Sequence, residues 1–324
     1  MENQTAAQSV VQQETAENIY DLLIVGGGMA GLTAAIYAGR AGLRTLALES
    51  QIPGGSITTS ELVENWPSQL SITGIALGEL LQKQTEKCGA RIEWGIVQKL
   101  NKLEDTFVLT LDSGAVLQSR TVIYAAGVNP RRLGIPGEQE FRGRGVSYCA
   151  TCDGPFYKQK NVVVIGGGSS AVQEALYLSS LARTVTLVHR RENFRAEKIL
   201  LDRARSRANL IFKTPFAVSG ILGEGGALTG VSLQNVLTGE TETLPGDGVF
   251  IYAGVEPNTG LLRGLVKLTE DGYVAAGEDT RTSVPGLFAA GDVRVKELRQ
   301  LVTAAADGAV AATQAGKYLQ ELKF

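Results

Sequence analysis

Cys149 and Cys152 stand with two residues between them in the run Cys149-Ala150-Thr151-Cys152-Asp153-Gly154. That spacing lets a disulfide close and open with little backbone movement, one sulfur exchanging with an incoming disulfide while the other resolves it. Zinc binding is the competing chemistry, and it needs four ligands. The chain offers only Cys88 and its single histidine, His189, to complete such a set, at spacings that match no usual zinc pattern. Cys88, ahead of Gly89 at the end of a helical stretch, reads as a small buried apolar residue. Asp153, directly after the pair, suits either proton donation to a sulfur or a turn before Gly154.

Two glycine-rich runs supply the other chemistry. Gly26-x-Gly28-x-x-Gly31 follows the apolar run Tyr20–Val25. The first glycine permits a tight turn, the second lets a pyrophosphate reach the backbone, and the third lets helix and strand pack closely. Apolar residues at helical spacing continue from Met29 to Arg40, so the helix presents its N-terminus to the phosphates. A second strand, Leu43–Leu48, ends at Glu49, 21 residues after Gly28, where a carboxylate can accept from ribose hydroxyls. The unit recurs 140 residues later as Asn161–Ile165, Gly166-x-Gly168-x-x-Ala171, a helix over Ser170–Leu181, and Thr184–Val188. At the offset where the first unit has an acid, the second has His189, Arg190 and Arg191, with Arg195 one turn on. A carboxylate there repels a 2′-phosphate, whereas guanidinium groups bind it in bidentate fashion. The first site therefore suits a dinucleotide with a plain ribose and the second suits NADP. A solvated basic face is the alternative for the cluster.

The elements that position these motifs follow from the repeat. The expected fold class is α/β, with two dinucleotide-binding, Rossmann-like domains carrying added β-meanders, the second inserted in the first. Arg91–Val97, Phe107–Leu111 and Thr121–Tyr124 read as strands after the first unit. Ile211–Phe212, Val231–Gln234 and Val249–Tyr252 read as strands after the second. The tail holds the strand Gly286–Ala290, Gly291-Asp292 and an Ala-rich helix from about Leu301, with no glycine loop of its own, so it must complete another domain. A length of 324 residues fits two domains. A net charge of −2 gives no electrostatic case for nucleic acid or an anionic membrane. No apolar stretch reaches the ~18 residues of a membrane helix, and residues 1–18 lack a signal peptide's layout and are expected to be a disordered leader. Three cysteines in the chain fit a reducing cytoplasm better than a disulfide scaffold.

Together, Cys149-Ala-Thr-Cys152-Asp-Gly, His189-Arg-Arg-x-x-x-Arg195-Ala-Glu-Lys, Glu64-Asn-Trp-Pro and Ala290-Gly-Asp292 resemble the low-molecular-weight thioredoxin reductases over about residues 19–322. The resemblance implies a homodimer with FAD and NADPH as cofactors and thioredoxin as partner. FAD would be held by residues 19–128 and 257–324, and NADPH by 129–256, the part that also carries the cysteines. Flavin contacts are implied for Gly26, Gly28, Met29, Ala30, Gly31, Glu49, Gly55, Ser56, Ile57, Asn65, Val97, Gly127, Gly291, Asp292, Arg299, Gln300 and Leu301. For Arg299 and Gln300 a helix cap or a solvated face is the alternative. NADP contacts are implied for Gly166, Gly168, Ser169, Ser170, Ala171, His189, Arg190, Arg191 and Arg195. Cys152 takes the role of the flavin-proximal sulfur, Cys149 that of the sulfur attacking the substrate, and Asp153 that of the acid–base group. Two positions depart from the family pattern. Ser56 stands where Gln is common, and Ala126 where Thr is common.

Overall fold

The structure is a computed structural model and describes residues 19–60 and 62–322; the expected leader, residues 1–18, lies outside the described residues. The chain forms two compact units, one built from the residues up to Val128 together with those from Pro257 onward, the other from Asn129–Glu256.

The first unit opens with Tyr20–Val25 (β1), Met29–Arg40 (α1) and Thr45–Glu49 (β2). Gly74–Lys87 (α2) follows, started by Thr73, whose side chain accepts from the Ala76 N–H. Then come Arg91–Trp94 (β3), Val97–Leu103 (β4), Thr106–Leu111 (β5) and Val116–Tyr124 (β6). β1 is apolar on both sides because both its faces are covered, as in a parallel sheet wrapped by helices. Leu22 and Ile24 pack with the alanines of α1, while Leu23 and Val25 pack under the meander with Phe107, Leu109 and Val122.

One expected strand, Arg91–Val97, is in fact two. Gly95 donates its N–H to the Glu49 carbonyl and sits against Leu111 and Leu48, so the chain turns there. β3 continues the parallel sheet beside β2, and β4 starts an antiparallel meander with β5 and β6.

Val128–Pro130 (β7) and Val255–Pro257 (β16) carry the chain across the unit boundary and pair with each other. In the second unit, Val146–Ser147 (β8) and Ala150–Asp153 (α3) precede Asn161–Gly166 (β9), Ser169–Ser179 (α4), Thr184–Val188 (β10) and Lys198–Arg205 (α5). Leu210–Lys213 (β11), Phe216–Glu224 (β12), Ala227–Asn235 (β13), Thr241–Pro245 (β14) and Gly248–Tyr252 (β15) complete it. The chain returns to the first unit with Leu287–Ala289 (β17) and Leu301–Glu321 (α6).

The two parallel sheets share a plan. The first runs β3-β2-β1-β6, with β17 beside the end of β6; the second runs β11-β10-β9-β15-β8. Each has a glycine-rich turn leaving its central strand, β1 or β9, and an antiparallel meander covering one face. In such open sheets ligands bind beyond the carboxyl ends of the central strands, and both glycine runs lie there. Among the described residues, no helix is long and apolar enough to cross a membrane.

Candidate active site

In the second unit the sulfurs of Cys149 and Cys152 are joined as a disulfide, with Cα atoms 5.4 Å apart. Cys149 caps α3 in an extended conformation, and its Sγ accepts from the Cys152 N–H at 3.2 Å. Ser147 Oγ bridges the Cys149 backbone, accepting from its N–H at 3.0 Å and donating to its carbonyl at 3.1 Å. The turn rests on α4 and the residues just after it, because Gly154 is buried against Leu178, Tyr177 and Leu181, where even a methyl group would be a tight fit. Cys152 is exposed, while Cys149 and Asp153 are half-buried. A cavity of about 430 Å³ opens alongside, lined by Gln139, Arg142, Val146, Ser147, Tyr148 and Asp153.

The chain leading into this turn is braced by Glu138. Its carboxylate accepts from the Tyr148 hydroxyl at 2.6 Å and from the Leu133 and Gly134 N–H groups. Burial alone would raise the Glu138 carboxyl, but these donors outweigh it and hold it below its ordinary value. The Tyr148 phenol, desolvated and hydrogen-bonded to the carboxylate, is pushed up to about 12.

The nucleotide loop of this unit starts where β9 ends. A side chain at Gly166 would strike the Tyr252 carbonyl and the Ala171 methyl, which explains why an alanine is accepted at Ala171 only while Gly166 has no Cβ. Gly168 faces open space and caps α4, which begins at Ser169, with Ser170 exposed behind it. The segment after β10 folds back over the loop. Arg195 donates its N–H to the Gly167 carbonyl at 2.7 Å, and Ser169 Oγ accepts from the Glu197 N–H. His189 is buried against Gly167, tilted on Phe194 with ring centroids 5.1 Å apart. Burial, then the charges of Arg195, Arg191 and Arg190, lower its pKa, so the ring is neutral at neutral pH. The three arginines themselves are exposed.

In the first unit, a Cβ at Gly31 would overlap the Gly26 carbonyl, so here not even alanine fits the third glycine position. Gly26 takes a φ of +105° and lies against Ala125 and Ala126. Glu49, buried, accepts from the Gly27 N–H at 2.7 Å and the Gln51 N–H at 2.8 Å, so it also holds the loop that it borders. Gly54 bonds back to the Gly27 carbonyl, and Gly55, at φ +59°, presses on Gly28. Met29, Ala30 and Ile57 are buried around this loop, Val97 is buried at the start of β4 in the core under the meander, Ser56 is exposed, and Gly127 lies at the crossover after β6 with φ +63°.

The tail brings further expected residues together. Asn65 donates to Gln300 Oε1 at 2.9 Å across 235 residues of sequence. Gln300 also caps α6, in a reciprocal box with Thr303 immediately ahead of Leu301. Thus Gln300 serves as a cap while still reaching Asn65. The Arg299 guanidinium lies 4.3 Å from the centre of the Tyr273 ring. Burial raises the Asp292 carboxyl against the opposing charges of Lys296 and Arg299, with Asp307 adding to the rise. Asp307 was not foreseen. Its carboxylate accepts from the Gly291 N–H, the Arg294 guanidinium and the Lys296 ammonium, all in the buried interior. An acid set within the small-residue run Ala304–Ala312 of α6 was the available signal. Among the described residues, three buried side-chain atoms have no hydrogen-bond partner: His189 Nε2, Asp292 Oδ1 and Arg299 Nε. Orphaned buried donors and acceptors are costly unless a ligand meets them, and these atoms fit a polar cofactor in each unit. No cluster of three or more metal-ligating side chains occurs among the described residues.

A disulfide on a turn beside one of two nucleotide-binding folds defines a class of proteins, those that exchange electrons between a pyridine nucleotide and a disulfide. The model of the pyridine nucleotide-disulphide oxidoreductase family matches residues 20–309. A thioredoxin reductase of Listeria innocua is 44% identical over 307 residues, covering 95% of this chain and 96% of that one. Another from Treponema pallidum is 44% identical over 308 residues, covering 95% and 99%. The solved thioredoxin reductase of Lactococcus lactis superposes with a TM-score of 0.92 at 38% identity, covering 93% of this chain and 99% of that one. The chain belongs to the pyridine nucleotide-disulphide oxidoreductase family, among its thioredoxin reductases.

Proposed function

We propose that this enzyme reduces the disulfide of thioredoxin with electrons from NADPH, carried by way of FAD and the Cys149–Cys152 pair. The observation that carries the reading is a disulfide on a turn packed against α4, the helix whose N-terminus bears the nucleotide fingerprint, over which the basic segment after β10 folds back. FAD belongs to the first unit, residues 19–128 and 257–324, and supplies two-electron acceptance when bound. The close approach of Gly55 to Gly28 and the unpartnered atoms of Asp292 and Arg299 support that assignment. NADPH belongs to residues 129–256, with Arg190, Arg191 and Arg195 meeting the 2′-phosphate and Gly166, Gly168, Ser169, Ser170 and Ala171 forming the pyrophosphate turn. His189 Nε2 is free to bond within that site.

The two electrons of NADPH cleave the Cys149–Cys152 bond and leave a dithiol. Cys149 then attacks a sulfur of the thioredoxin disulfide, forming a mixed disulfide and expelling the partner's other sulfur as a thiolate. Cys152 attacks Cys149 Sγ, restores the intramolecular bond and releases the second thiolate. Asp153 exchanges protons with the sulfurs, so one NADPH and one proton are consumed for each thioredoxin disulfide reduced. The assembly is a homodimer working in the cytoplasm. Mixing the enzyme anaerobically with NADPH is expected to bleach the flavin quickly, NADH to bleach it slowly, and oxidised thioredoxin to restore the colour. Colour that does not return on adding thioredoxin would assign the dithiol to another partner.

A further inference from the structure

Tyr252 occupies a junction that neither fingerprint includes. It is the last residue of β15, and its main chain pairs with Gly166, the first glycine of the nucleotide loop. Its carbonyl is the atom that forbids a side chain at Gly166. The side chain leads elsewhere. Its hydroxyl oxygen accepts the Ala150 N–H at 2.8 Å, across 102 residues of sequence. Ala150 is buried and opens α3, the turn between the two cysteines. Water cannot readily replace the phenol at that buried N–H. Burial, together with the negative charges of Glu174 and Asp153, drives the phenol pKa upward, so the hydroxyl keeps its proton throughout the working range.

We propose that Tyr252 is a positioning residue for the redox turn, its hydroxyl fixing the Ala150 N–H so that the Cys152 N–H, further along the same turn, aims at Cys149 Sγ. The first N–H groups of a helix have no partners within it, and a buried one must find a substitute. While Tyr252 takes the first, the Cys152 N–H is left to the sulfur, at 3.2 Å. In the dithiol state the same donor stabilises a Cys149 thiolate, and a thiolate so held forms at lower pH. Without that hydrogen bond the turn loses its tether to the end of β15, and the Cys152 donor leaves the sulfur. The inference rests on Cys149 being the sulfur that meets substrate, so the test is made independent of thioredoxin.

The holoenzyme is reduced with dithiothreitol, freed of it by anaerobic gel filtration and alkylated with iodoacetamide across pH 5.5–9, and tandem mass spectrometry follows modification at Cys149 separately from Cys152 on the peptide they share. In Tyr252→Phe the rate at pH 7 is expected to fall about fivefold, with the profile displaced to higher pH. Ala150→Pro removes the donor at a first helical position, where proline is well accommodated, and gives the same displacement even if Tyr252→Phe does not fold. In the double variant the second change adds nothing, because both remove one hydrogen bond. Profiles that superpose on the wild type, or effects of the two changes that simply add, overturn the role. An enzyme whose profile shifts but which never reduces thioredoxin would overturn the function and leave the positioning role standing.

Discussion

Arg190, Arg191 and Arg195 are exposed, yet each lowers the pKa of the buried His189, so their charges converge on one point above Gly167. A group bearing two extra negative charges gains from that convergence and a plain ribose does not. Replacing Arg190 and Arg191 together by alanine is expected to raise KM for NADPH by at least about tenfold and to leave KM for NADH within about twofold. Steady-state kinetics with the two nucleotides checks it. His189 adds a pH dependence. Its folded pKa lies below its ordinary value, so the folded state binds fewer protons than the unfolded one. The stability linked to His189 is therefore fully present above the ordinary histidine range and is lost as pH falls through that range toward the lowered folded value. His189→Gln should flatten the fall in melting temperature between pH 7 and 5. The glycines and the basic cluster were legible in the sequence because their offsets from an apolar strand are fixed by local geometry. Tyr252 and Glu138 were not, since a tyrosine ending a buried strand and an acid in a loop acquire their partners only when distant segments meet.

Buried charge at α6 decides more than the capping of that helix. Asp307 holds Gly291, Arg294 and Lys296 together, and Arg294 is almost wholly enclosed, with 2% of its side chain exposed. Burial alone would raise the Asp307 carboxyl, but the hydrogen bonds from Arg294 and Lys296 outweigh it and hold it low. The stability it contributes is present above the ordinary carboxylate range and disappears as pH falls through the lowered value. Asp307→Asn leaves two buried cations short of a counter-charge, at an expected cost of about 3 kcal/mol in denaturant titration. Because Gly291 loses its anchor beside Asp292, the flavin absorbance retained on purification should fall as well. At the next residue α6 meets α1: a Cβ on Gly308 would overlap the Ala30 carbonyl. The strands and helices of the two βαβ units were readable because burial on both faces makes their runs continuously apolar. The break at Gly95 was hidden, since Leu48 and Leu111, which it packs against, come from other strands. β14 escaped because its residues are too polar to mark a strand by alternation, and β12 because Gly220 and Gly223 interrupt its apolar residues where its register with β13 shifts.

Each unit has its own apolar core. Buried residues from Tyr20 to Ala125 and from Leu262 to Ala315 form the first, and those from Phe141 to Ile251 form the second, with no residue shared between the two units' clusters. The repeat at 140 residues announced two such cores, and the tail without a glycine loop announced that one of them is discontinuous. Separate cores permit separate unfolding, and the chain carries a built-in means of seeing it. Both of its tryptophans, Trp66 and Trp94, belong to the first unit, and the second has none. Tryptophan fluorescence therefore reports the first unit alone, whereas far-ultraviolet circular dichroism reports both. In a urea titration the two signals are expected to give different midpoints. Saturating NADP⁺ should move only the dichroism transition that fluorescence does not see, by ~2.7 kcal/mol at a hundredfold excess over Kd. Coincident midpoints that NADP⁺ shifts together would mean that the units unfold as one cooperative body. The variant Gly308→Val sharpens the comparison, because its overlap with α1 lies wholly in the first unit. It should lower the fluorescence midpoint and leave the NADP⁺-sensitive transition in place.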